Sequence, residues 1–511
     1  LARAACLAPG EPIPYRLLKL TLKLPENDLS AAIQVEDALT RLVELGLIRP
    51  ETEDALRLHR LVVAFVRDVL ANQIGIAQEA VETAIDQEAT HLNKSGDPRP
   101  LLTWQPHLRA VTEAALRRKD LTAAKLCNEL GWHLWLRQDY LDSQHYYELA
   151  LEIRRSHLGE RHPDTAHSYD RLGFVLRTTG KFDEALTYYR KALAIREAVL
   201  GEEHSDTAIT LNELGLWYIE QGDVVESRSC FERALAVGRK ALGEEHPLTA
   251  EYLNNVGLSL IRLGKLDNAL DYFRQALAIN EQLFGMNHPD VALNLNNIGY
   301  ILWVQGKPGE AQPYHERALR IREMVMGPHH LDTSQSLVNL GNVLGDLNQF
   351  NEARECLERA IEILKTSQGD EHPNLAHYMT RLGRLLNKQG DLAAAQQVLE
   401  TALALRQSAL EPDHFMIADS LMELGTTCTL QGRLDEAQQY LEEALSIRQR
   451  ALGDDHHLTA QSLAQLGIIL KDQGDTARAR TCYERALAIF EAQFGPEYAE
   501  LEEVRERLAK F

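Results

Sequence analysis

The amino-acid sequence predicts an all-α solenoid of about nine helical hairpins, and three periodic features predict it. A histidine recurs every 42 residues, at His162, His204, His246, His288, His330, His372, His414 and His456. A glycine keeps the same period from Gly131 through Gly173, Gly215, Gly257, Gly299, Gly341, Gly383 and Gly425 to Gly467. A second glycine falls seven residues after most of these, as at Gly180 and Gly474, with Gln138 and Asn348 standing in for it twice. A fixed period of this length marks stacked supersecondary units, each of which buries its apolar face only against its neighbours.

One unit shows how the period becomes structure. His162-Pro163-Asp164-Thr165 supplies a turn, a proline and capping oxygens, which open a helix. Tyr169, Leu172, Gly173 and Leu176 follow at spacings that share one helical face. Gly180 ends that helix in a left-handed cap. Ala185, Tyr189, Ala192, Leu193 and Arg196 mark a second helix, which Gly201 ends. Gly173 and Ala185 are small where the two helices are expected to approach closely.

The small residue in the first helix, the glycine between helices and the small residue early in the second resemble the tetratricopeptide repeat. The usual unit has 34 residues. The 42-residue form resembles the repeats of kinesin light chain and of nephrocystin-like bacterial proteins. The segments Leu211-Asn212-Glu213-Leu214-Gly215, Leu253-Asn254-Asn255-Val256-Gly257 and Leu295-Asn296-Asn297-Ile298-Gly299 carry that likeness, as does Ala318-Leu319-Arg320-Ile321-Arg322-Glu323. The resemblance spans residues 121–495 and implies a right-handed superhelical solenoid that binds protein or peptide. Residues 496–511 place Leu501, Val504 and Leu508 on one stripe, as expected of a capping helix.

Residues 1–72 break the repeat. Ile13-Pro14 leads a short apolar helix at Leu17 and Leu18, and residues 35–47 form an amphipathic helix on Leu39, Leu42, Val43 and Leu47. Leu47-Ile48-Arg49 and Leu56-Arg57-Leu58-His59 read as two strands about a turn at residues 51–54, followed by a helix from Arg60 to Leu70. Helices followed by a hairpin predict a small winged-helix domain. Residues 73–120 are expected to bridge to the array, with helices over residues 78–92 and 101–118 and a loop over residues 95–100.

The phrases Ala5-Cys6-Leu7-Ala8-Pro9, Leu45-Gly46-Leu47-Ile48 and Leu58-His59-Arg60-Leu61-Val62 resemble the winged-helix segment of NB-ARC and other STAND signalling ATPases. The family's Met-His-Asp motif falls on Leu58-His59-Arg60, so the resemblance gives His59 a role in sensing the diphosphate of ADP. Leu58 and Arg60 depart from that motif. No GxxxxGK[ST] loop occurs in the 511 residues, so the ATPase core is absent and ADP or ATP is expected only in a full-length protein. The resemblance also leaves room there for a ligand-induced oligomer.

Bulk chemistry narrows the classes. A net charge of −21 argues against nucleic acid, which needs a basic footprint, and Arg41, Arg49, Arg57 and Arg60 are scattered over the predicted winged helix. No run of about 18 apolar residues is present, so no membrane span is expected. The chain begins at Leu1 without the basic head and apolar core of a signal peptide, and is read as a piece of a longer cytoplasmic protein. Six cysteines without a CxxC pair fit reduced thiols. Cys230, Cys356 and Cys482 share one repeat phase and are read as core residues. The sequon Asn93-Lys94-Ser95 is taken as chance.

No catalytic constellation stands out. Equivalent histidines in successive repeats lie roughly 10 Å apart if helices pack at 8–10 Å, too far for one metal ion. They read as linkers, and no metal site or cofactor is expected in this chain. Acidic pairs such as Glu202-Glu203 lie in predicted loops and read as solvated. The concave face remains. Asn212, Asn254 and Asn296 stand three residues before the repeat glycine, and Leu216, Leu258 and Tyr300 one residue after it. An amide both donates and accepts, so such a ladder can hold an extended peptide backbone beside apolar pockets; the same amides can instead satisfy neighbouring helices. The sequence therefore reads as the non-catalytic, ligand-sensing region of a STAND ATPase, or as a constitutive peptide-binding adaptor resembling kinesin light chain.

Overall fold

The computed structural model describes residues 1–22, 29–52, 54–93, 99–370, 372–494 and 499–509. The expected turn at residues 51–54, the loop over residues 95–100, the sequon and the start of the terminal segment fall partly outside them. The chain divides into two compact units, Leu1–Glu244 and Glu245–Phe511.

Unit 1 opens with α1 (Ala2–Ala5), β1 (Pro12–Pro14), α2 (Tyr15–Thr21), α3 (Leu29–Glu44), β2 (Ile48–Thr52), β3 (Ala55–Leu58) and α4 (Arg60–Val69). The three strands form an antiparallel sheet in the order β1-β3-β2. Its buried face carries Ile13, Ile48, Leu56 and Leu58, which pack with Leu7, Leu17 and Leu39. Ile13-Pro14 leads into the short helix α2, as expected, with Pro14 at its N-cap; the sequence did not show that Ile13 also pairs with Leu56 in a sheet. Proline lacks an N–H, and both Pro14 and Pro50 lie on edge strands, where that loss is tolerated.

The bridge comprises α5 (Ala71–Asn93), α6 (Arg99–Leu102) and α7 (Gln105–Leu116). The single helix expected over residues 101–118 is broken because Pro106 sits in the first turn of α7, where its missing N–H costs nothing. Buried His107 pins the bridge to the start of the chain. Its Nδ1 accepts from the Ala8 N–H at 3.1 Å, and its Nε2 donates to the Pro12 carbonyl at 2.8 Å. One apolar core then runs from Ala4 to Ile153.

The hairpins of unit 1 are α8 (Leu121–Leu136) with α9 (Tyr140–Leu158), α10 (Pro163–Thr178) with α11 (Phe182–Val199), and α12 (Ser205–Glu220) with α13 (Val224–Leu242). Unit 2 holds α14 (Pro247–Arg262) with α15 (Leu266–Phe284), α16 (Pro289–Val304) with α17 (Pro308–Val325), and α18 (Leu331–Asp346) with α19 (Phe350–Gln368). It continues with α20 (Pro373–Gln389) and α21 (Leu392–Ala409), α22 (Phe415–Leu430) and α23 (Leu434–Leu452), and α24 (His457–Asp472) and α25 (Thr476–Phe494). The terminal α26 (Ala499–Leu508) buries Leu501 and Val504 against the last hairpin.

Each repeat glycine faces a large side chain sixteen residues on. A Cβ at Gly173 would stand 2.8 Å from the Tyr189 ring, and one at Gly215 would stand 2.5 Å from Phe231. Ala185 and its equivalents at +12 complete the close approach: Ser143 and Ser227 at that position donate to the carbonyls of Gly131 and Gly215. The second glycine takes the left-handed conformation, with φ +78° at Gly180, and Gln138 and Asn348 follow it at +65° and +61°. The next residue's N–H then bonds back over the turn, as Lys181 does to the Leu176 carbonyl at 2.8 Å.

Candidate functional site: the inner face of the repeats

The first helix of each hairpin lines the inner side. Within unit 2, α16 meets α18, α18 meets α20, and α20 meets α22, whereas no two successive second helices come as close among the described residues. What this wall presents therefore depends on which first-helix positions point outward from it.

The repeat histidines lie at the edge of this wall and have a uniform role. The Nδ1 of His162 accepts from the Asp164 N–H at 3.1 Å, and His204, His246, His288, His330, His372, His414 and His456 do the same for their own helices. The expected cap oxygens are thus replaced by a ring nitrogen, which satisfies one of the four free N–H groups of the first turn. Such a bond requires neutral imidazole with its proton on Nε2. No group of three or more metal-ligating side chains converges among the described residues. His59 caps α4 in the same way, accepting from the Leu61 N–H at 3.2 Å, and the rest of its ring is exposed.

The three asparagines lie beneath the wall's surface. Asn212, Asn254 and Asn296 are only 2%, 6% and 4% exposed. Asn254 Oδ1 accepts from Asn297 at 2.7 Å and from Asn294 at 3.4 Å. Asn296 donates to Ser336 at 2.8 Å and accepts from His315 Nδ1 at 3.0 Å. Asn212 belongs to unit 1 and the other two to unit 2. The amides of Asn254 and Asn296 bind neighbouring helices together, and a peptide backbone would have to displace those bonds to reach them.

The residues one after the repeat glycine do reach the surface. Leu216 and Leu258 are half-buried and Tyr300 is exposed. Tyr300 lies 6.0 Å from Trp303, centroid to centroid. Asp346 of α18 accepts from both Trp303 Nε1 and Lys388 Nζ, bridging three successive inner helices. Arg384 pairs with Glu423. Arg381 makes no hydrogen bond or ion pair with any described residue; burial and the adjacent Arg384 pull its guanidinium pKa down, against Glu423, Asp419 and Tyr300.

Unit 1 carries a second aromatic wall. Trp132 stacks on Trp135 at 5.0 Å, and Phe174 lies 4.7 Å from Trp135. Arg171 sits over Trp132 at 4.9 Å and Arg177 over Phe174 at 5.5 Å. Beneath it, Asp170 occupies the position that Asn212 holds in the next repeat. Burial pushes its carboxyl up, to about 7, while Arg196 at 2.6 Å opposes that shift.

One device between repeats was missed in the sequence although its signal is there. Arg154, Arg196, Arg322, Arg406 and Arg448 share one phase, and each donates to the Ser or Thr fourteen residues later, from Ser168 to Ser462. Where the arginine is replaced by Asn280, its partner is Asn294, at 2.8 Å. The paired change is readable only once a contact at +14 is known.

A tetratricopeptide repeat family model matches residues 121–198, 168–224, 206–282, 290–366, 349–408 and 416–492, more than half of the chain. The chain belongs to the tetratricopeptide repeat family, whose arrays bind proteins. Among solved structures it is similar to BtubC (BKLC) from P. vanneervenii, at 25% identity and a TM-score of 0.37, covering 51% of this chain and 94% of that one. A putative kinesin light chain from Podosopora anserina with nearly identical TPR-like repeats matches at 22% identity and 0.36, covering 41% and 99%. A STAND protein with a tetratricopeptide repeat sensor from Pyrococcus horikoshii matches at 15% and 0.48, covering 98% and 63%. No curated protein sequence matches the chain. Among the described residues no helix is long and apolar enough to cross a membrane.

Proposed function

We propose that this chain is the ligand-sensing, protein- or peptide-binding region of a STAND signalling ATPase of the NB-ARC type, cytoplasmic and non-catalytic in itself. The observation that carries the binding half is the inner wall of unit 2. Tyr300 and Trp303 expose aromatic surface there, and Arg381 offers a guanidinium with no partner among the described residues. Aromatic anchors beside an available cation are the composition of a binding hot spot. Leu258 lines the same wall, Leu216 its counterpart in unit 1, and the buried Asn212, Asn254 and Asn296 position these surfaces from below. The ligand is an extended segment that brings apolar side chains and at least one carboxylate.

The element order α1-β1-α2-α3-β2-β3-α4 supports a winged helix at the start of the chain. Its core is continuous with the first hairpin, so strain in the array has a packed route to it. Ligand must then bind one state of the array better than the other to shift the balance. On this reading His59, which caps α4 through Nδ1, meets nucleotide only alongside an ATPase core, since no GxxxxGK[ST] loop occurs in these 511 residues. ADP or ATP binding, and any ligand-induced assembly, belong to the full-length protein. The adaptor reading differs in needing no such switch.

The test is capture of peptides from a displayed random library by the immobilised chain. We expect acidic-apolar peptides to be enriched, and the Tyr300→Ala/Trp303→Ala variant to lose at least tenfold of that capture with its helicity intact. Undiminished capture sinks the assignment of the wall. In the full-length protein, a His59→Ala variant with unaltered ATP turnover and signalling would leave the adaptor reading.

A further inference from the structure

On the inner wall of unit 2, three amides without a hydrogen-bond partner among the described residues run down one helix rather than across the repeats. Gln335, Asn339 and Asn342 of α18 lie at i, i+4 and i+7, one helical face. Gln335 is exposed and the other two are half-buried. The equivalent positions on the two flanking inner helices carry different chemistry. On α16 they are apolar: Leu293, Tyr300 and Val304 are 41%, 39% and 47% exposed. On α20 they are basic, at His377, Arg381, Arg384 and Lys388. Asp346, on the same face of α18, bonds Trp303 on one side and Lys388 on the other, which ties the three helices into one surface. The acids of α22 that act on Arg381 are held by other arginines, Asp419 by Arg448 and Glu423 by Arg384. Among the described residues, Arg381 is the arginine of this column left without an ion pair.

We propose that the extended ligand lies along α18, parallel to the helices, as a strand whose side chains alternate apolar and acidic. The inference rests on the assignment of this wall to ligand binding and adds the ligand's direction and pattern. Successive side chains of a strand point to opposite sides. A strand lying on α18 therefore sends every second side chain towards α16 and the others towards α20. Its backbone groups that face α18 recur every two residues, about 6.7 Å. Four residues of helix, as from Gln335 to Asn339 or from Tyr300 to Val304, rise about 6 Å. The amides thus meet successive backbone groups of the strand, which an amide serves as donor or acceptor. Neighbouring inner helices stand roughly 10 Å apart, within side-chain reach on either hand. Apolar side chains at i, i+2 and i+4 of the strand span about 13 Å, and Leu293 to Val304 spans about 16.5 Å. The acids at i+1 and i+3 face the basic column at Arg381. A segment running across the repeats would instead meet an apolar, an amide and a basic helix in turn, and then Asp419 and Glu423. It would need its apolar and acidic residues in separate blocks.

Fluorescence anisotropy with two labelled peptides, blocked at both ends, separates the directions. One alternates three leucines with two glutamates between flanking serines. The other has the same composition with leucines and glutamates in separate blocks. The alternating peptide is expected to bind at least tenfold more tightly. Asn339→Ala combined with Asn342→Ala should weaken it about tenfold, the loss of two hydrogen bonds, with circular dichroism unchanged. Glutamine in place of its glutamates should weaken binding to the wild type several-fold and leave binding to the Arg381→Gln variant unaltered. A block peptide that binds as well as the alternating one overturns the proposed direction while the wall keeps its role. Undiminished binding by the double asparagine variant does the same, as does a glutamine penalty that survives Arg381→Gln. Binding of neither peptide at about 1 mM also overturns it. Undiminished library capture by the Tyr300→Ala/Trp303→Ala variant would then sink the wall as well, and lost capture would leave the wall standing.

Discussion

His133 and His315 are buried in different units and hold their neutral form for the same reason. His315 packs on Gly299 and donates to Asn296, whereas neither ring nitrogen of His133 finds a partner among the described residues. Burial lowers both to about 4, with Arg137 adding to the effect at His133. An unfolded imidazole takes its proton near 6.5. Between those values the unfolded chain binds more protons than the folded one, so stability is complete above about pH 6.5 and declines as the pH falls towards 4. The full effect is on the order of 3 kcal/mol for each ring. Urea melts at pH 7 and pH 5 should show the decline. His133→Leu should reduce it, and should not weaken the fold at pH 7, because it removes an unsatisfied buried polar group. A decline of equal size in that variant would rule His133 out as a cause.

Among the helices, the first one of each hairpin is the more stringently specified, with a side-chain cap at its start (Asp120 in α8, a histidine in the rest), a packed glycine inside and a left-handed residue after its end. Gln138 is the exception at that last position, a branchless but chiral residue held at φ +65°. A left-handed L-residue costs roughly 1–2 kcal/mol, part of which glycine returns as unfolded-state entropy. Gln138→Gly should therefore stabilise unit 1 by about 0.5–1 kcal/mol, read as a higher Tm for its unfolding. Asn348 at +61° should respond less to the same change, since asparagine tolerates this region. These sites were legible in advance because seven residues of spacing locate the cap whatever residue fills it. Pro106 and the strand at Ile13-Pro14 were not, because a proline's local reading leaves open whether it starts a helix or an edge strand. Leu56 across the sheet settles the one, and the packing of Trp104 and Leu108 in the core the other.

For the molecule as a whole, a repeat array communicates only through neighbours, so what joins the N-terminal segment to the first hairpin decides whether it can report on the array. His107 is that joint by hydrogen bonding, reaching Ala8 and Pro12. Removing it leaves a buried N–H and a carbonyl without this partner, at about 1–3 kcal/mol each. His107→Leu should raise amide exchange over residues 1–22 and 48–70 while the helices of unit 2 keep their protection. Uniform loss of protection across the chain would mean that the joint is not local.

The histidines, glycines and +42 spacing determined the hairpins by themselves, because each marks a local backbone event: a first turn, a close approach, a left-handed stop. The periodicity likewise put Asn212 and Leu216 in unit 1, and Asn254, Asn296, Leu258 and Tyr300 in unit 2, on the first helices of their hairpins. Only the tertiary structure decided which of these face outward. Asn254 and Asn296 turn into the seam towards the next repeat, where Asn294, Asn297 and Ser336 engage them, with His315 of the same hairpin also holding Asn296, and the residue four positions later emerges. A step of four along a helix turns a side chain by about 40°, and whether that step crosses from seam to surface depends on the angle at which neighbouring hairpins stack. That angle is set by contacts between repeats, such as the arginine staples at +14, which no single repeat contains.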